Sequence, residues 1–443
     1  MKPAIFIIFG ITGDLARRKV LPAIYNLAEQ GLLPEDCHIV GTSRRDMDTA
    51  TLTEEFAKAI ENANGQAANP AVIEKFGLSM ITVNPANNGD YLALKNHLDS
   101  LPPAQRLFYL SIPPEVYGQV VNGLGEQGLN QGPDAVRLLV EKPFGTDLTS
   151  ARELIERTAQ HFSEDQIMRI DHYLAKETAQ NILTFRAQNP LFNRIWNYRH
   201  ITGVTITATE TIGIEGRVGF YEHVGALRDL IQSHLLQLLA LTLLDLPSNM
   251  QSDEVHAAKL RLLKSLLPAN ATDAIRGQYD TYRQEVDNDL SSTETYAALT
   301  LYSQDGDWQG VPLRLITGKA MAKKHTEICV HFGAGNELQF RLQPDEGIRL
   351  TLHVKKPGLL QKEPVETTNM DFTYEHAFSG VGNPDAYERV LLDAMRGDHL
   401  LFATDQEILA SWEILQPVLD AWQHSSDDLI IYPSGSVAPT RDA

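Results

Sequence analysis

The stretch AIFIIFGITGDLARRK at residues 4–19 decides how the first part of the chain folds. Its apolar run from Ile5 to Phe9 is too short for a helix and is followed by a glycine, which is typical of a buried parallel strand. Gly10 and Gly13 allow a tight turn, and apolar residues then recur at helical spacing. Strand, glycine turn and helix predict a dinucleotide-binding βα unit. The spacing is G-x-x-G-x-x-A rather than G-x-G-x-x-G, so an ordinary βα turn is the alternative.

The second predicted strand ends in Ser43-Arg44-Arg45. In a dinucleotide-binding fold this strand end meets the adenine ribose, where an acidic residue suits NAD and an arginine suits the 2′-phosphate of NADP. The sequence therefore favours NADP as the cofactor, with NAD as a weaker alternative. Without the glycine turn, a pair of solvated surface arginines would be the better interpretation.

Strands and helices alternate over the first 145 residues or so, which predicts an α/β Rossmann domain with a doubly wound, mostly parallel sheet. Pro113 and the sequence Glu141-Lys142-Pro143 fall at the carboxyl ends of predicted strands, where such folds bind ligands. An X-Pro bond there is a candidate cis peptide. Lys142 either reaches substrate or cofactor, or is a surface lysine in a loop.

The pattern of predicted elements changes after Gly203. Several predicted strands follow with short links, which indicates an α+β domain with a large antiparallel sheet. These strands lie at about residues 204–209, 296–302, 313–316, 327–332, 338–342 and 348–354. We therefore expect an NADP-binding domain at residues 1–174 and a second, α+β domain at residues 175–443.

Charge and cysteine content exclude several classes of protein. A net charge of −19 argues against nucleic-acid partners and against an anionic membrane surface. Cys37 and Cys329 form no C-x-x-C pair, so we expect no disulfide framework, no metal cluster and a reducing, cytoplasmic location. The most apolar predicted helix, at about residues 226–244, carries polar side chains such as Asp229 and His234, which favours burial within the protein over a membrane span.

A short strand at residues 167–170 precedes the block Asp171-His-Tyr-Leu-Ala-Lys176. We expect a helix to begin at this block, with Asp171 as its N-cap. His172 and Lys176 would then share one helix face and, with Tyr173, could bind a phosphate monoester. A solvated i,i+4 pair is the alternative for His172 and Lys176.

Three segments together resemble the glucose-6-phosphate dehydrogenase family: IFGITGDLARRK at residues 8–19, EKPFG at 141–145 and RIDHYLAKE at 169–177. Further matches follow in the same order along nearly the whole chain, at residues 225–237, 317–319, 343–347 and 386–398. The resemblance implies oxidation of C1 of glucose 6-phosphate to 6-phosphogluconolactone, the first step of the oxidative pentose phosphate pathway, by a homodimer or homotetramer. It also implies that the domain at residues 175–443 binds the substrate and forms the dimer interface.

The resemblance also implies roles for individual residues. His234 matches the base that takes the proton from the C1 hydroxyl while hydride leaves C1 for the nicotinamide, and Asp171 matches the carboxylate that orients this histidine. The implied substrate-binding residues are Lys19, His172, Tyr173, Lys176, Glu210, Asp229, Lys319 and Lys324. The expected cofactor-binding residues are Gly10, Thr12, Gly13, Asp14, Leu15, Ser43, Arg44, Arg45, Pro113, Glu141, Lys142 and Pro143, the last preceded by a cis bond. No metal ligand is expected, because oxidising a hemiacetal needs only a base near neutral pKa and a hydride acceptor.

Some positions depart from the family pattern. Ala175 stands where the family usually has glycine, and Glu222 stands where aspartate is usual. Two other functions stay open from the sequence. One is a related sugar dehydrogenase for an unphosphorylated substrate, although nothing in it would require His172, Lys176 and Lys324 together. The other is an NADP-binding sensor or scaffold without turnover, against which the presence of both Asp171 and His234 counts.

Overall fold

The computed structural model describes residues 1–358, 364–378 and 384–439. The strands in this part of the chain are β1 (Ala4–Phe9), β2 (Cys37–Ser43), β3 (Phe76–Thr82), β4 (Gln105–Leu110), β5 (Val136–Val140), β6 (Ile167–Ile170), β7 (Ile201–Thr209), β8 (Ile275–Tyr279), β9 (Tyr296–Leu301), β10 (Leu313–Gly318), β11 (His325–Phe332), β12 (Glu337–Gln343), β13 (Gly347–Lys355), β14 (Val365–Thr373), β15 (Phe402–Ala403) and β16 (Leu429–Tyr432).

The α-helices are α1 (Leu21–Glu29), α2 (Thr49–Asn64), α3 (Pro70–Ile73), α4 (Asn88–Ser100), α5 (Pro114–Glu126), α6 (Leu148–Ala159), α7 (Glu177–Gln188), α8 (Pro190–Asn193), α9 (Val218–Ala226), α10 (Leu236–Leu243), α11 (Ser252–Ser265), α12 (Tyr282–Glu285), α13 (Tyr374–Ala377), α14 (Ala386–Arg396) and α15 (Asp405–His424). Two π-helices, π1 (Ala16–Val20) and π2 (Leu227–Leu235), run directly into α1 and α10. Short 3-10 turns lie at Glu164–Gln166 and Gly333–Gly335.

The chain divides by its contacts into two units. Unit 1 comprises Met1–Gly145, Thr149–Ala175 and Pro384–Asp405, and unit 2 comprises Thr146–Leu148, Lys176–Asn383 and Gln406–Ala443. The segment Pro384–Asp405 thus packs with the N-terminal part of the chain, although the sequence analysis assigned it to the second domain. Its apolar side chains, including Val390 and Leu391, belong to the same buried core as β1 and α1. The functional assignment of the two predicted domains stays a prediction.

Unit 1 contains a seven-stranded sheet in the order β15-β6-β5-β4-β1-β2-β3. Strands β1 to β6 run parallel, and β15 pairs antiparallel with β6 at the edge. Every residue of β1 is buried, as expected for a central parallel strand with helices on both faces. The predicted doubly wound α/β fold is confirmed.

Unit 2 contains a nine-stranded sheet in the order β14-β13-β12-β11-β7-β10-β9-β8-β16. Most neighbouring strands are antiparallel, as predicted, but β10 pairs parallel with β7 and β16 pairs parallel with β8. The predicted buried helix at about 226–244 is present as π2 followed by α10. No helix among the described residues combines the length and apolar character needed to cross a membrane.

A buried ion cluster joins two helices of unit 2. Glu407 of α15 is fully buried, and its carboxylate accepts hydrogen bonds from Lys259 Nζ at 3.0 Å and His256 Nδ1 at 2.8 Å, both on α11. Burial would raise the pKa of Glu407, but the Lys259 charge and the hydrogen bonds outweigh it and leave the pKa below its ordinary value. The cluster therefore holds a charged carboxylate inside the protein at neutral pH.

The first prediction concerns this cluster. Glu407→Gln should lower the free energy of unfolding by about 3–5 kcal/mol at neutral pH, because Lys259 loses its buried counter-charge. The folded-state pKa lies below the unfolded value of about 4.3, so the contribution is complete above that pH and is lost as the pH falls through the folded-state pKa. Urea unfolding of both proteins at a series of acidic pH values measures this difference.

The exposed Asp420 of α15 provides the control, and Asp420→Asn should change stability by less than about 0.5 kcal/mol. A Glu407→Gln effect that stays the same from neutral pH to well below the unfolded pKa would show that the carboxylate charge does not stabilise the fold.

Gly10 forms the turn after β1 in a conformation that excludes a side chain. Its φ is +76°, and a Cβ atom built there would lie 2.3 Å from the backbone oxygen of Ser111. Gly31, at the end of α1, has a similar φ of +70° but has no atom within 4 Å of such a Cβ. Comparing substitutions at the two positions therefore separates the cost of backbone strain from the cost of the steric clash.

The second prediction uses this pair. Gly31→Ala should cost about 1–2 kcal/mol of stability from its left-handed backbone alone. Gly10→Ala should cost about 2–5 kcal/mol, since the clash with Ser111 adds to the strain. Thermal and urea denaturation of the two variants measure the difference, and equal losses would mean that the close approach at Gly10 does not constrain the fold.

Candidate active site

The parallel strands of unit 1 end in one row. Phe9 of β1 pairs with Thr42 of β2 on one side and Leu110 of β4 on the other, Leu110 pairs with Val140 of β5, and Val140 pairs with Arg169 of β6. The residues that follow these strands therefore lie along one edge of the sheet, where folds of this class bind ligands. They include Gly10, Arg44, Ser111, Glu141 and Asp171.

The glycine turn at residues 10–13 places backbone groups without side chains at this edge. Gly13 N donates to Gly10 O at 2.8 Å, and a Cβ on Gly13 would approach that oxygen to 3.0 Å. Thr12 and Leu15 are half-buried, while Asp14 is exposed and pairs with Arg18 at 2.8 Å. A turn that a side chain would fill, followed at once by a helix, fits the pyrophosphate of a dinucleotide.

Arg44 and Arg45 are both exposed directly after β2. The backbone N–H of Arg45 donates to Ser43 Oγ at 3.0 Å, which turns the chain at the strand end. Both arginines thus lie at the strand end that meets the adenine ribose of a bound dinucleotide in this fold. Pro113, two residues beyond Ser111, precedes α5 and accepts a hydrogen bond from Val116 N at 3.0 Å.

Glu141 is held by two tyrosines. Its carboxylate accepts a hydrogen bond from Tyr109 Oη at 2.5 Å and another from Tyr387. Burial raises the pKa of Glu141 to about 7, although these hydrogen bonds and the Lys142 charge oppose the rise. The Lys142–Pro143 peptide bond is cis, as predicted. A carboxyl group that titrates near neutral pH thus lies at the turn that carries Lys142.

Lys19 and His172 both contact α14 within unit 1. Lys19 Nζ pairs with Asp385 Oδ2 at 3.0 Å and lies 5.9 Å from the ring centre of Tyr387. The His172 ring stacks on Tyr387, with centroids 6.4 Å apart and planes at 16°. Asp385 and Tyr387 were missed as site residues by the sequence analysis. Tyr387 lies in the segment at residues 386–398 that matches the family, and Asp385 directly precedes it, but nothing in the sequence indicated that this part of the chain packs with the N-terminal part.

The predicted helix start at Asp171 is wrong. Residues 171–176 form a turn, in which Asp171 Oδ1 accepts a hydrogen bond from Tyr173 N at 2.9 Å, and α7 begins only at Glu177 with Lys176 as its N-cap. Asp171 caps this turn rather than a helix, so His172 and Lys176 are not an i,i+4 helical pair. Asp171 is buried, whereas His172, Tyr173 and Lys176 are half-buried.

In unit 2, π2 carries Asp229 and His234. Both side chains are buried, with 7% and 1% of their surface exposed. In a π-helix the backbone hydrogen bonds join residues five apart, so these two residues lie one turn apart on the same side. π-helical segments are frequent at functional sites because the wider turn redirects side chains.

Lys319 and Glu210 form an ion pair in the same unit. Lys319, directly after β10, is 3% exposed, and its ammonium group contacts the Glu210 carboxylate and lies 5.2 Å from the ring centre of Tyr221. Glu210 follows β7, and its N–H donates to Gly318 O at 2.9 Å. Lys324, in the link between β10 and β11, is exposed.

The described residues thus present two sets of predicted site residues. Unit 1 holds the glycine turn, the arginine pair, the Glu141 turn and residues 171–173. Unit 2 holds Lys176, π2, the Lys319–Glu210 pair and Lys324. In residues 1–358, 364–378 and 384–439 no three or more His, Cys, Asp or Glu side chains are grouped so as to hold a metal ion.

Family models match almost the whole chain. Residues 7–181 match the NAD binding domain of glucose-6-phosphate dehydrogenase, and residues 183–443 match its C-terminal domain. Glucose-6-phosphate 1-dehydrogenase of Gluconobacter oxydans is 38% identical over 100% of this chain and 95% of its own length. The enzyme of the same name from Chlamydia muridarum is also 38% identical, over 99% of this chain and 94% of its own.

Solved structures agree with these relatives. A glucose-6-phosphate dehydrogenase in complex with its substrate glucose-6-phosphate superimposes with a TM-score of 0.92 at 32% identity, covering 99% of this chain and 96% of that one. Glucose-6-phosphate 1-dehydrogenase from Mycobacterium avium gives a TM-score of 0.86 at 31% identity, with the same coverage of both chains. Sequence, domain models and fold therefore agree, and the chain belongs to the glucose-6-phosphate dehydrogenase family.

Proposed function

We propose that this chain oxidises C1 of glucose 6-phosphate to 6-phosphogluconolactone, with transfer of hydride to NADP+. The likeness to a relative solved in complex with glucose-6-phosphate, over 99% of this chain, carries the proposal. When bound, the nicotinamide ring supplies the hydride acceptor. The protein then has to bind the phosphosugar, orient its C1 and remove one proton from the C1 hydroxyl.

His234 is the proposed base. Imidazole titrates near neutral pH and so suits the removal of a hydroxyl proton as hydride departs. The burial of His234 on π2 supports this role, since a base shielded from water acts on the substrate rather than on solvent. For Asp171 we propose the supporting carboxylate, which stabilises the imidazolium after proton transfer. A buried carboxylate fixed by its own turn suits that task.

The sugar phosphate is proposed to bind cationic and hydrogen-bonding side chains. His172, Tyr173 and Lys176 would hold the 6-phosphate, because a phosphate monoester accepts several charge-assisted hydrogen bonds. We assign Glu210, Asp229, Lys319 and Lys324 to the rest of the substrate. The buried Lys319–Glu210 pair offers fixed donors and acceptors for sugar hydroxyls. Lys19, paired with Asp385, is assigned to the substrate as well.

We propose that the cofactor is NADP rather than NAD. The exposed Arg44 and Arg45 after β2 support this preference, because a planar guanidinium binds a phosphate and an acidic residue would be expected there for NAD. The glycine turn, Ser43, Pro113 and the Glu141-Lys142-Pro143 turn are the remaining proposed cofactor contacts. Their positions at one edge of the parallel sheet support the assignment.

We further propose a cytoplasmic homodimer or homotetramer. The strands β13 and β14, at one end of the unit 2 sheet, expose Val354, Val365 and Met370. Exposed apolar side chains at the end of a sheet favour association, and a second copy of this chain would cover them. Two free, buried cysteines, Cys37 and Cys329, are consistent with a reducing compartment.

The third prediction tests the activity and its base together. The wild-type chain should reduce NADP with glucose 6-phosphate and be inactive with glucose. His234→Ala should lower kcat by about a hundredfold or more, the contribution of a general base, and leave the Kd for NADPH nearly unchanged. Initial rates of NADPH formation and a fluorescence titration with NADPH measure both quantities.

The exposed His223 of α9 provides the matched control, and His223→Ala should retain activity. Equal rates with glucose would favour the dehydrogenase for unphosphorylated sugars. Binding of NADP without turnover of any hexose 6-phosphate would favour the sensor or scaffold. Near-normal turnover of His234→Ala would remove His234 from the mechanism.

The fourth prediction concerns the cofactor preference. Arg44→Ala should lower kcat/KM for NADP by about tenfold, corresponding to about 1.4 kcal/mol, and leave kcat/KM for NAD nearly unchanged, because only NADP carries the 2′-phosphate. Initial rates with each cofactor at saturating glucose 6-phosphate measure the ratio. Equal losses with both cofactors would mean that Arg44 does not recognise the 2′-phosphate.

A further inference from the structure

The helix that carries His234 begins at a break in the backbone. Gly225, inside α9, has a φ of 66° and a ψ of 176°, so the helical hydrogen bonds of α9 do not continue into π2. The next two backbone N–H groups, of Ala226 and Leu227, both lie in the interior. Buried N–H groups need partners from elsewhere in the structure.

A single residue, 67 positions along the chain, supplies both partners. Leu227 N donates to Glu294 Oε1 at 3.0 Å, and Ala226 N donates to the backbone oxygen of Glu294 at 2.9 Å. The Glu294 side chain is 6% exposed. A carboxylate at the start of a helix also interacts favourably with the helix dipole. Ala226 is the N-cap residue of π2, and Glu294 caps the start of this helix from a distant part of the chain.

Gly225 makes this cap sterically possible. A Cβ atom built on Gly225 would lie 2.4 Å from Glu294 Oε1, so any side chain at this position would displace the carboxylate. The positive φ of Gly225 likewise disfavours other residues. Glycine at residue 225 thus both breaks the helix and admits the capping group.

The cap is attached to rigid parts of unit 2. Glu294 lies two residues before β9, which is an internal strand of the nine-stranded sheet. Thr293 Oγ1 donates to Glu222 O of α9 at 3.0 Å, so residues 293 and 294 bind both sides of the break. Burial raises the pKa of Glu294, and the nearby Arg228 charge opposes this rise.

We propose that Glu294 is a positioning residue for His234, because its side chain and backbone cap π2 and fix where this helix begins relative to the sheet. The inference rests on the proposed role of His234 as the base. His234 lies seven residues beyond Leu227 on the same helix, so a shift at the start of π2 displaces the imidazole. A misplacement of about 1 Å can cost about a hundredfold in rate.

A double-mutant cycle tests the inference. kcat/KM for glucose 6-phosphate is measured for the wild type, Glu294→Ala, His234→Ala and the double variant. Glu294→Ala should lower kcat/KM by about 10- to 100-fold in the wild type but by less than about twofold in the His234→Ala background, since no base is left to position. Glu294→Gln keeps an oxygen that can accept from Leu227 N–H and should lose less than about fivefold.

Glu222→Gln is the matched control. Its half-buried carboxylate binds Tyr282 and Asn288 in the same unit rather than the start of π2, so kcat/KM should stay within about twofold of wild type. If Glu294→Ala does not fold, Gly225→Ala replaces it in the cycle, because its Cβ would displace the same carboxylate.

The outcomes separate this inference from the proposed function. An equal loss from Glu294→Ala in both backgrounds would overturn the positioning role while leaving His234 as the base. Near-normal activity of Glu294→Ala in the wild-type background would also overturn it. Near-normal activity of His234→Ala would overturn the role of His234 itself, and this inference with it.

Discussion

The parallel register of five strands in unit 1 is the constraint on which the rest of that unit depends. Parallel strands that pair in register must end at one edge, and here Phe9, Thr42, Leu110, Val140 and Arg169 form a continuous paired row. The residues that directly follow these strands, although far apart in sequence, consequently lie side by side along that edge of the sheet. The glycine turn, the arginine pair and the Glu141 turn need no long-range side-chain contacts to reach that edge, since backbone pairing brings them there.

Unit 2 positions its residues by a different means. Its mostly antiparallel sheet does not collect strand ends at one edge, and two of the proposed residues, Asp229 and His234, lie on a helix rather than after a strand. A helix that starts in the interior requires partners for its first N–H groups. Glu294, two residues before β9, accepts hydrogen bonds from these groups. This cap fixes the start of π2 relative to the sheet. Strand register thus positions the proposed site residues of unit 1, and the cap on π2 positions Asp229 and His234 of unit 2.

Local signals in the sequence predicted most of the fold. The apolar run before Gly10 and the alternation of strands and helices gave the doubly wound sheet, and the run of strands after Gly203 gave the second sheet. The two parallel pairings in that sheet were not predicted, because strand order is not encoded in local periodicity. The helix expected to have Asp171 as its N-cap starts five residues later, because Asp171 uses its carboxylate in a turn, and an aspartate suits both arrangements.

The candidate site was predictable mainly where residues form a motif. The family resemblance named His234, and nothing in the spacing of an apolar helix could distinguish it from a core histidine. Asp385, Tyr387 and Glu294 were missed because each acts on residues 67 to 368 positions away in sequence, as Glu294–Leu227 and Lys19–Tyr387 illustrate. Such pairings arise from tertiary packing, to which a single sequence gives no direct access.

The return of Pro384–Asp405 to unit 1 has a consequence for synthesis of the protein. Tyr387, Val390, Leu391 and Met395 complete the core that β1 and α1 begin, so the N-terminal unit lacks part of its interior until residues 384–405 have been made. Domains that are continuous in sequence can fold as they emerge from the ribosome, N-terminal first. Here unit 1 is the first to emerge, but its core is completed only when α14 has been made. A fragment ending at residue 175 would therefore expose the apolar surface that α14 covers. That surface must therefore be kept from aggregating while the residues between unit 1's first segment and α14 are being translated.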